Sequence, residues 1–299
     1  MRDKRIHLVA LAEWDCPGSH YLHTKKFLSS FETHGYTYSE VRKFTDIRDI
    51  SPDDIVYLSN HGFFEKQISF EVLEAISKKG AKQILWFWHD HLDLAKRLFA
   101  NRFVLSGEHF YKKPFLDEHI KLWEIQKTTP EYVPLTFASD LMPSSIATLP
   151  RSEMYLAHFV GFGYQADINK RLRIRFRGIK ILNTPPFISE KQRTDIFLSS
   201  KVALGWHSDA NIKNNVVVER VFEGLAYGNA VISDTPIARE ITDGIVEFAD
   251  TYDETRDFLL RIKKDDEFRK KKVEQGFAWA KAYGTYWHVA KRFIDHFAS

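Results

Sequence analysis

The chain has 299 residues, of which 44% are hydrophobic and 14% aromatic, and its formal net charge is +3. That length suits two α/β domains of ordinary size or one large one, and the near balance of charge does not suggest bulk nucleic-acid binding, though local basic clusters could meet phosphates. A single cysteine, Cys16, excludes an intramolecular disulfide framework and a cysteine-rich zinc site, and fits a reducing compartment.

The first apolar run, residues 6–12, is short and is closed at once by Glu13, Trp14 and Asp15. It reads as a first strand rather than a signal peptide. No segment approaches the roughly 18–20 apolar residues of a membrane span. A cytoplasmic protein is expected, in contact with a membrane at most peripherally. After a loop through Pro17 and Gly18, residues 20–34 read as a helix with Phe27, Leu28 and Phe31 toward the core. Residues 36–41 and 54–59 read as strands, and 70–79 as a helix that stops at Gly80. Residues 83–88 form an apolar strand ending in His89-Asp90-His91, 92–99 a helix and 103–105 another short strand. Such alternation predicts a parallel sheet with helices on both faces.

Pro130, Pro134, Pro143 and Pro150 break the periodicity, so a boundary is placed near residue 140. The expected domains are 1–140 and 141–284. A second α/β series follows, with strands at 155–160, 179–182, 202–205, 230–232 and 246–248 and helices at 189–198 and 253–262. The last stretch, 268–297, is mostly helical. Between the first two of these strands lie the turn Gly161-Phe162-Gly163 and a basic segment with Lys170, Arg171, Arg173, Arg175, Arg177 and Lys180. Its arginines alternate with apolar residues as in a strand, yet Ile168, Leu172 and Phe176 recur as in a helix.

The most informative stretch is 216–234, VVVERVFEGLAYGNAVISD. It reads as a short helix, a glycine stop at Gly228 and a buried strand. Glu219 and Glu223 lie one turn apart on one face of that helix. Asn214 or Asn215 would make a good N-cap, and the amides of that helix start, with Lys213 beside them, suit a phosphate. The valines 216–218 have weak helix propensity, so the helix can begin a residue or two later.

The run Arg220-Val221-Phe222-Glu223, then Leu225-Ala226, Gly228 and Ile232-Ser233-Asp234, resembles the donor-site segment of GT-B glycosyltransferases, with the CgeB-like group and the glycosyltransferase 4 type nearest. A weaker likeness extends over 155–250. The resemblance implies an α/β chain of two Rossmann-like domains facing each other across a cleft. Residues 1–140 would form the acceptor domain, 141–284 the nucleotide-sugar donor domain, and 285–299 a helix crossing back to the first. It implies a metal-independent transferase with no cofactor, moving sugar from a nucleotide-sugar to a glycan, lipid-linked glycan or other hydroxyl acceptor in carbohydrate biosynthesis, without a nucleic-acid partner. Glu223 would hold the donor ribose. The second acid of many relatives falls at Asn215, so the full pair is absent and Glu219 is the candidate substitute. Gly161, Gly163 and Lys213 would meet the diphosphate, with Arg171 as a guanidinium fork for it. The resemblance favours a helix for the basic segment.

In the first domain two residues compete for a catalytic role. Asp15 follows the first strand, where open α/β sheets bind their ligands, and could deprotonate an acceptor hydroxyl. His89 matches a histidine that contacts the transferred sugar in the glycosyltransferase 4 type. Plainer readings stand beside both: Asp15 or Ser19 capping a helix, and Asp90 doing the same. The tight His89-Asp90-His91 spacing is poor for metal chelation, because adjacent strand residues point to opposite faces. A non-catalytic nucleotide-sugar-binding protein and a GT-B-type epimerase are the alternatives to a transferase.

Overall fold

The computed structural model describes residues 4–9, 19–41, 44–59, 75–76, 78–87, 103–107, 131–132, 138–161, 165–183, 188–213 and 216–298. The chain divides into two compact units, one of Met1–Thr136 with Val289–Ser299 and one of Phe137–His288.

The first unit holds a six-stranded parallel sheet of order β2-β1-β3-β4-β5-β6. Its strands are β1 (Arg5–Val9), β2 (Thr37–Val41), β3 (Ile55–Ser59), β4 (Lys82–Phe87), β5 (Phe103–Gly107) and β6 (Glu131–Tyr132). The two-residue β6, in the proline-broken middle, has no periodicity to betray it. Helix α1 (Ser19–Glu32) buries Phe27, Leu28 and Phe31. Phe27 also meets the ring of Phe293, 5.6 Å away, on the last helix of the chain. Within the sheet, His7 of β1 bridges Ser39 Oγ of β2 at 2.7 Å and Asp54 Oδ2, just before β3, at 3.0 Å. Burial works to raise the Asp54 carboxyl, but the Ser51 amide and His7 outweigh it and hold it below its ordinary value.

The second unit holds a five-stranded parallel sheet of order β11-β10-β9-β7-β8. In chain order the elements are β7 (Tyr155–Gly161), α2 (Ala166–Arg175), β8 (Ile179–Asn183), α3 (Glu190–Leu198), β9 (Ser200–Gly205), α4 (Asp209–Lys213), α5 (Glu219–Ala226), β10 (Ala230–Ser233), α6 (Pro236–Ile241), β11 (Glu247–Phe248), α7 (Tyr252–Lys264) and α8 (Asp266–Ala282), with α9 (Tyr286–Ala298) running on into the first unit. Phe159, Leu172, Val202, Leu204, Trp206, Ile232 and Leu259 form one buried cluster. Capping boxes start α3 (Ser189 with Gln192) and α7 (Thr251 with Glu254), and Asp265 caps α8. The basic segment is helical as far as Arg175, with Ile168 and Leu172 facing the core and Arg173, Ile174 and Arg175 exposed; Arg177 lies in the turn that follows and Lys180 on β8.

The informative segment departs from expectation at its start. Residues Val216–Val218 are extended and buried, and the N-cap is Val218, not Asn214 or Asn215. Three β-branched side chains fit a packed extended chain better than a first helical turn. The far end matches the reading, since Gly228 has φ +83°. A Cβ there would lie 2.5 Å from the Phe277 ring and 2.9 Å from Arg151 Nη1. Gly228→Ala should therefore cost about 3 kcal/mol, from a left-handed alanine and an overfilled contact together. Chemical denaturation reads this directly, and a variant as stable as its parent would refute the tight approach.

Candidate functional site

In open parallel sheets ligands sit beyond the carboxyl ends of the strands. In the second unit these are Gly161 on β7, Gly205 on β9 and Ser233 on β10, with the loops that follow. Four of the chain's features converge there.

The first is Arg220, in the opening turn of α5. Its Nη1 donates to the Trp206 carbonyl just beyond β9, and its guanidinium lies 5.3 Å from the Phe159 ring. A Cβ on residue 161 would stand 2.9 Å from Arg220 Nη2. Gly161 is thus needed less for the bend of a turn than for room: without a side chain it lets the guanidinium settle at the end of β7. The second feature is the start of α5. Its N-cap Val218 offers no side-chain acceptor, and the Val221 amide turns back onto the Val218 carbonyl at 3.1 Å. A cation and a helix N-terminus together favour an anion.

The third is a buried polar knot. Asp234, after β10, accepts from His207 Nδ1 at 2.7 Å, from the His207 amide at 3.1 Å and from Gln165 Nε2 at 3.1 Å. His207 Nε2 in turn accepts from the Val218 amide at 3.2 Å. With a carboxylate on one side and an N–H donor on the other, the ring is neutral with its proton on Nδ1. Burial is the largest influence on His207 and keeps it below the ordinary imidazole value, against the pull of Asp234.

The fourth is an acidic cluster around one guanidinium. Glu223, only 2% exposed, accepts from Arg193 Nη2 of α3. Glu219 lies 4.0 Å from the same nitrogen, and Asp140 acts on it as well. Burial alone would weaken the Arg193 cation, but these carboxylates raise its pKa instead. Tyr286, buried beside Glu219 and Glu223, is raised far above its usual value by burial first and those charges second.

Of the expected site residues, Gly161, Glu219 and Glu223 are brought to this end of the sheet. Glu223 is covered rather than open, with Arg193 as its ionic partner. Lys213 is exposed at the end of α4, on the same β9–α5 connection. Arg171 stacks 3.7 Å over the ring of Tyr252, the first residue of α7. Asp15, His89, Gly163 and Asn215 lie outside the described residues. Sequence reasoning passed over Arg193, Arg220, His207 and Asp234. Arg220 and Asp234 both stood in the quoted motif, the first as a cation in the opening turn of a helix that follows a strand, the second as an acid just past a strand.

Ser39, His7 and Asp54 have the members of a nucleophilic triad, but Ser39 and His7 sit mid-strand and Asp54 precedes β3, away from the carboxyl ends. Among the described residues no group of three or more His, Cys, Asp or Glu side chains is placed to hold a metal ion. Among them, too, no helix is long and apolar enough to cross a membrane.

No protein-family model matches the sequence, and no curated protein matches it. Solved structures do. A DNA-modifying β-glucosyltransferase, studied with and without uridine diphosphoglucose, is similar over 98% of this chain and 98% of its own, with TM-score 0.59 and 12% identity. An α-glucosyltransferase in complex with UDP and a 13-mer DNA containing an HMU base is similar over 100% of both chains, with TM-score 0.65 and 11% identity. An α,α-trehalose 6-phosphate synthase from Burkholderia multivorans covers 99% of this chain and 96% of its own, with TM-score 0.59 and 10% identity. At such identities the likeness is one of architecture, and it agrees with the two parallel sheets: the chain has the GT-B fold of two Rossmann-like units.

Proposed function

We propose that this chain is a glycosyltransferase that binds a nucleotide-sugar on its second unit and transfers the sugar to a hydroxyl acceptor. The observation that carries this reading is the seating of Arg220 against Gly161, at the start of α5. A diphosphate leaving group needs its developing charge stabilised, and a guanidinium with helix amides supplies this without a metal. Lys213 and Gly163 are assigned to the same phosphates, and Asn215 to the donor site. Glu223 is assigned to the ribose, held in place by Arg193, and Glu219 to the sugar end of the donor. Arg171 keeps a lesser part, as it is engaged by Tyr252.

In the first unit, Asp15 is the proposed base if the reaction inverts the anomeric centre, and His89 the proposed sugar contact if it retains it. Retention is preferred, on the resemblance of His89 to its counterpart in a largely retaining family.

One experiment tests the whole reading. The protein is incubated with a panel of nucleotide-sugars, with and without a chelator. Acceptors are a glycan, a lipid-linked glycan and a duplex containing an HMU base, the last because of the DNA in the structure described above. Release of free nucleotide and a glycosylated product, unchanged by chelator, is expected, and proton NMR of the product reads the anomer. Interconversion of the donor sugar would make the protein an epimerase. Nucleotide binding with no turnover on any acceptor would favour a non-catalytic binding protein, and activity restored only by manganese or magnesium would refute metal independence.

A further inference from the structure

We infer that His207 is a positioning residue for the anion-binding start of α5, and that its neutral form is required for nucleotide-sugar binding; this rests on the proposed donor site. In a capping box, a side chain in the third helical position reaches back to the amide of the N-cap residue. Here that position is Val221, which has no acceptor to offer, and the N-cap amide of Val218 is instead taken by His207 Nε2 from the end of β9. The imidazole can accept there only while it lacks a proton on Nε2, and Asp234 ensures this by holding the proton on Nδ1.

The same carboxylate accepts from the His207 amide and from Gln165 in the β7–α2 turn. One buried Asp–His pair therefore ties together the loops after β7, β9 and β10 and the first turn of α5. Both side chains are sealed from water, with relative exposures of 0% and 1%. The other charged groups that act on His207 are Arg220 and Glu219, both in the opening turn of α5, with opposite effects. Asp209 and Lys213 lie on α4, in the connection that follows.

Protonation would put an N–H on Nε2 facing the Val218 N–H, donor against donor. The cap is then lost, and the turn carrying Arg220 moves off the position that Gly161 leaves open for it. Burial holds His207 below 6.5, so the site is intact at neutral pH and fails only in acid. The stability linkage has the same sign. With its folded value depressed, His207 takes up its proton more readily in the unfolded chain, so stability falls as pH drops below 6.5 and on through the folded value.

Two variants separate the roles of the two nitrogens. Glutamine can place its amide oxygen near the Nε2 position and accept from Val218, whereas asparagine reaches only the Nδ1 position and serves Asp234 alone. The readouts are titration of uridine diphosphoglucose between pH 7.5 and 4.5, kept to conditions where circular dichroism shows folded protein, and hydrogen exchange at the Val218, Glu219 and Arg220 amides. A nucleotide-sugar is chosen because its diphosphate is esterified at both ends and does not titrate in this range, unlike a terminal phosphate with a pKa near about 6.

In the parent, affinity should fall toward tenfold per pH unit once His207 titrates, and exchange at the three amides should rise with it beyond the intrinsic trend. His207→Gln should bind within about threefold of the parent at pH 7.5 and lose the acid limb, while His207→Asn should bind at least tenfold more weakly at every pH. Equal affinities for Gln and Asn, or an acid limb that survives in His207→Gln, would overturn the inference. A parent that binds none of the nucleotide-sugars defeats the donor-site reading itself; the exchange data then decide separately whether His207 holds the helix start, and exchange indifferent to both pH and His207→Asn would overturn that too.

Discussion

Glu223→Gln should weaken nucleotide binding by about ten- to a hundredfold while leaving the protein folded. The carboxylate lies buried at 2% exposure against Arg193, and the amide keeps its shape but not its charge. Losing one member of a buried ion pair commonly costs several kcal/mol, because the other charge is stranded. Here the stranding is incomplete: Glu219 is 4.0 Å from the same guanidinium nitrogen and Asp140 adds its field. The fold should survive with a lowered melting temperature. Ligand binding should suffer more, since hydrogen bonds to a charged partner contribute about 1.5–3 kcal/mol. The decisive comparison uses the nucleotide and its 2′-deoxy and 3′-deoxy analogues in calorimetric titrations. If Glu223 holds the ribose, an analogue binds the parent more weakly than the nucleotide does, and that difference vanishes in the variant. If Glu223 serves only as counter-ion to Arg193, melting temperature falls and the affinities of all three ligands stay where they were.

The sequence discloses the parts of this arrangement that are local. The pattern of α5, the stop at Gly228 and the strand β10 are written within one short segment, as apolar spacing followed by a residue tolerant of positive φ. The alternation of strands and helices likewise predicts parallel sheets, and both units have them. What the sequence hides is what the sheet assembles. His207 and Asp234 are 27 residues apart and Arg193 and Glu223 are 30 apart, joined because parallel strands bring successive carboxyl ends side by side. No periodicity within one element records such a pairing. The misplaced helix start has a different cause. A cap search favours Asn214 and Asn215, but burial of Val216 and Val217, at 0% and 1%, outweighs local cap preference. A remote imidazole then does part of the work of a cap.

Arg220→Met should lower kcat/KM by about a hundred- to a thousandfold, the range seen when one preorganised donor to a developing anion is removed. Methionine keeps the length and much of the apolar contact with Phe159, so the change isolates the charge and its donors. The loss should fall on kcat as well as KM. Negative charge on the diphosphate grows as the bond to the sugar breaks, so a cation there favours the transition state over the bound substrate. Arg220→Lys should recover only part of the activity, since an ammonium lacks the planar fork that can bond the Trp206 carbonyl and a phosphate oxygen together. Gly161→Ala tests the same geometry without touching the arginine. The added methyl would stand 2.9 Å from both Arg220 Nη2 and Phe159 Cζ, so the guanidinium and the ring beneath it are pushed apart from residue 161, and activity should fall. The two effects share one guanidinium, so in the double variant Gly161→Ala/Arg220→Met the losses should be less than additive. Were Arg220→Met to fold and turn over within threefold of the parent, the diphosphate would have to be held elsewhere, and Lys213 would be the next cation to test.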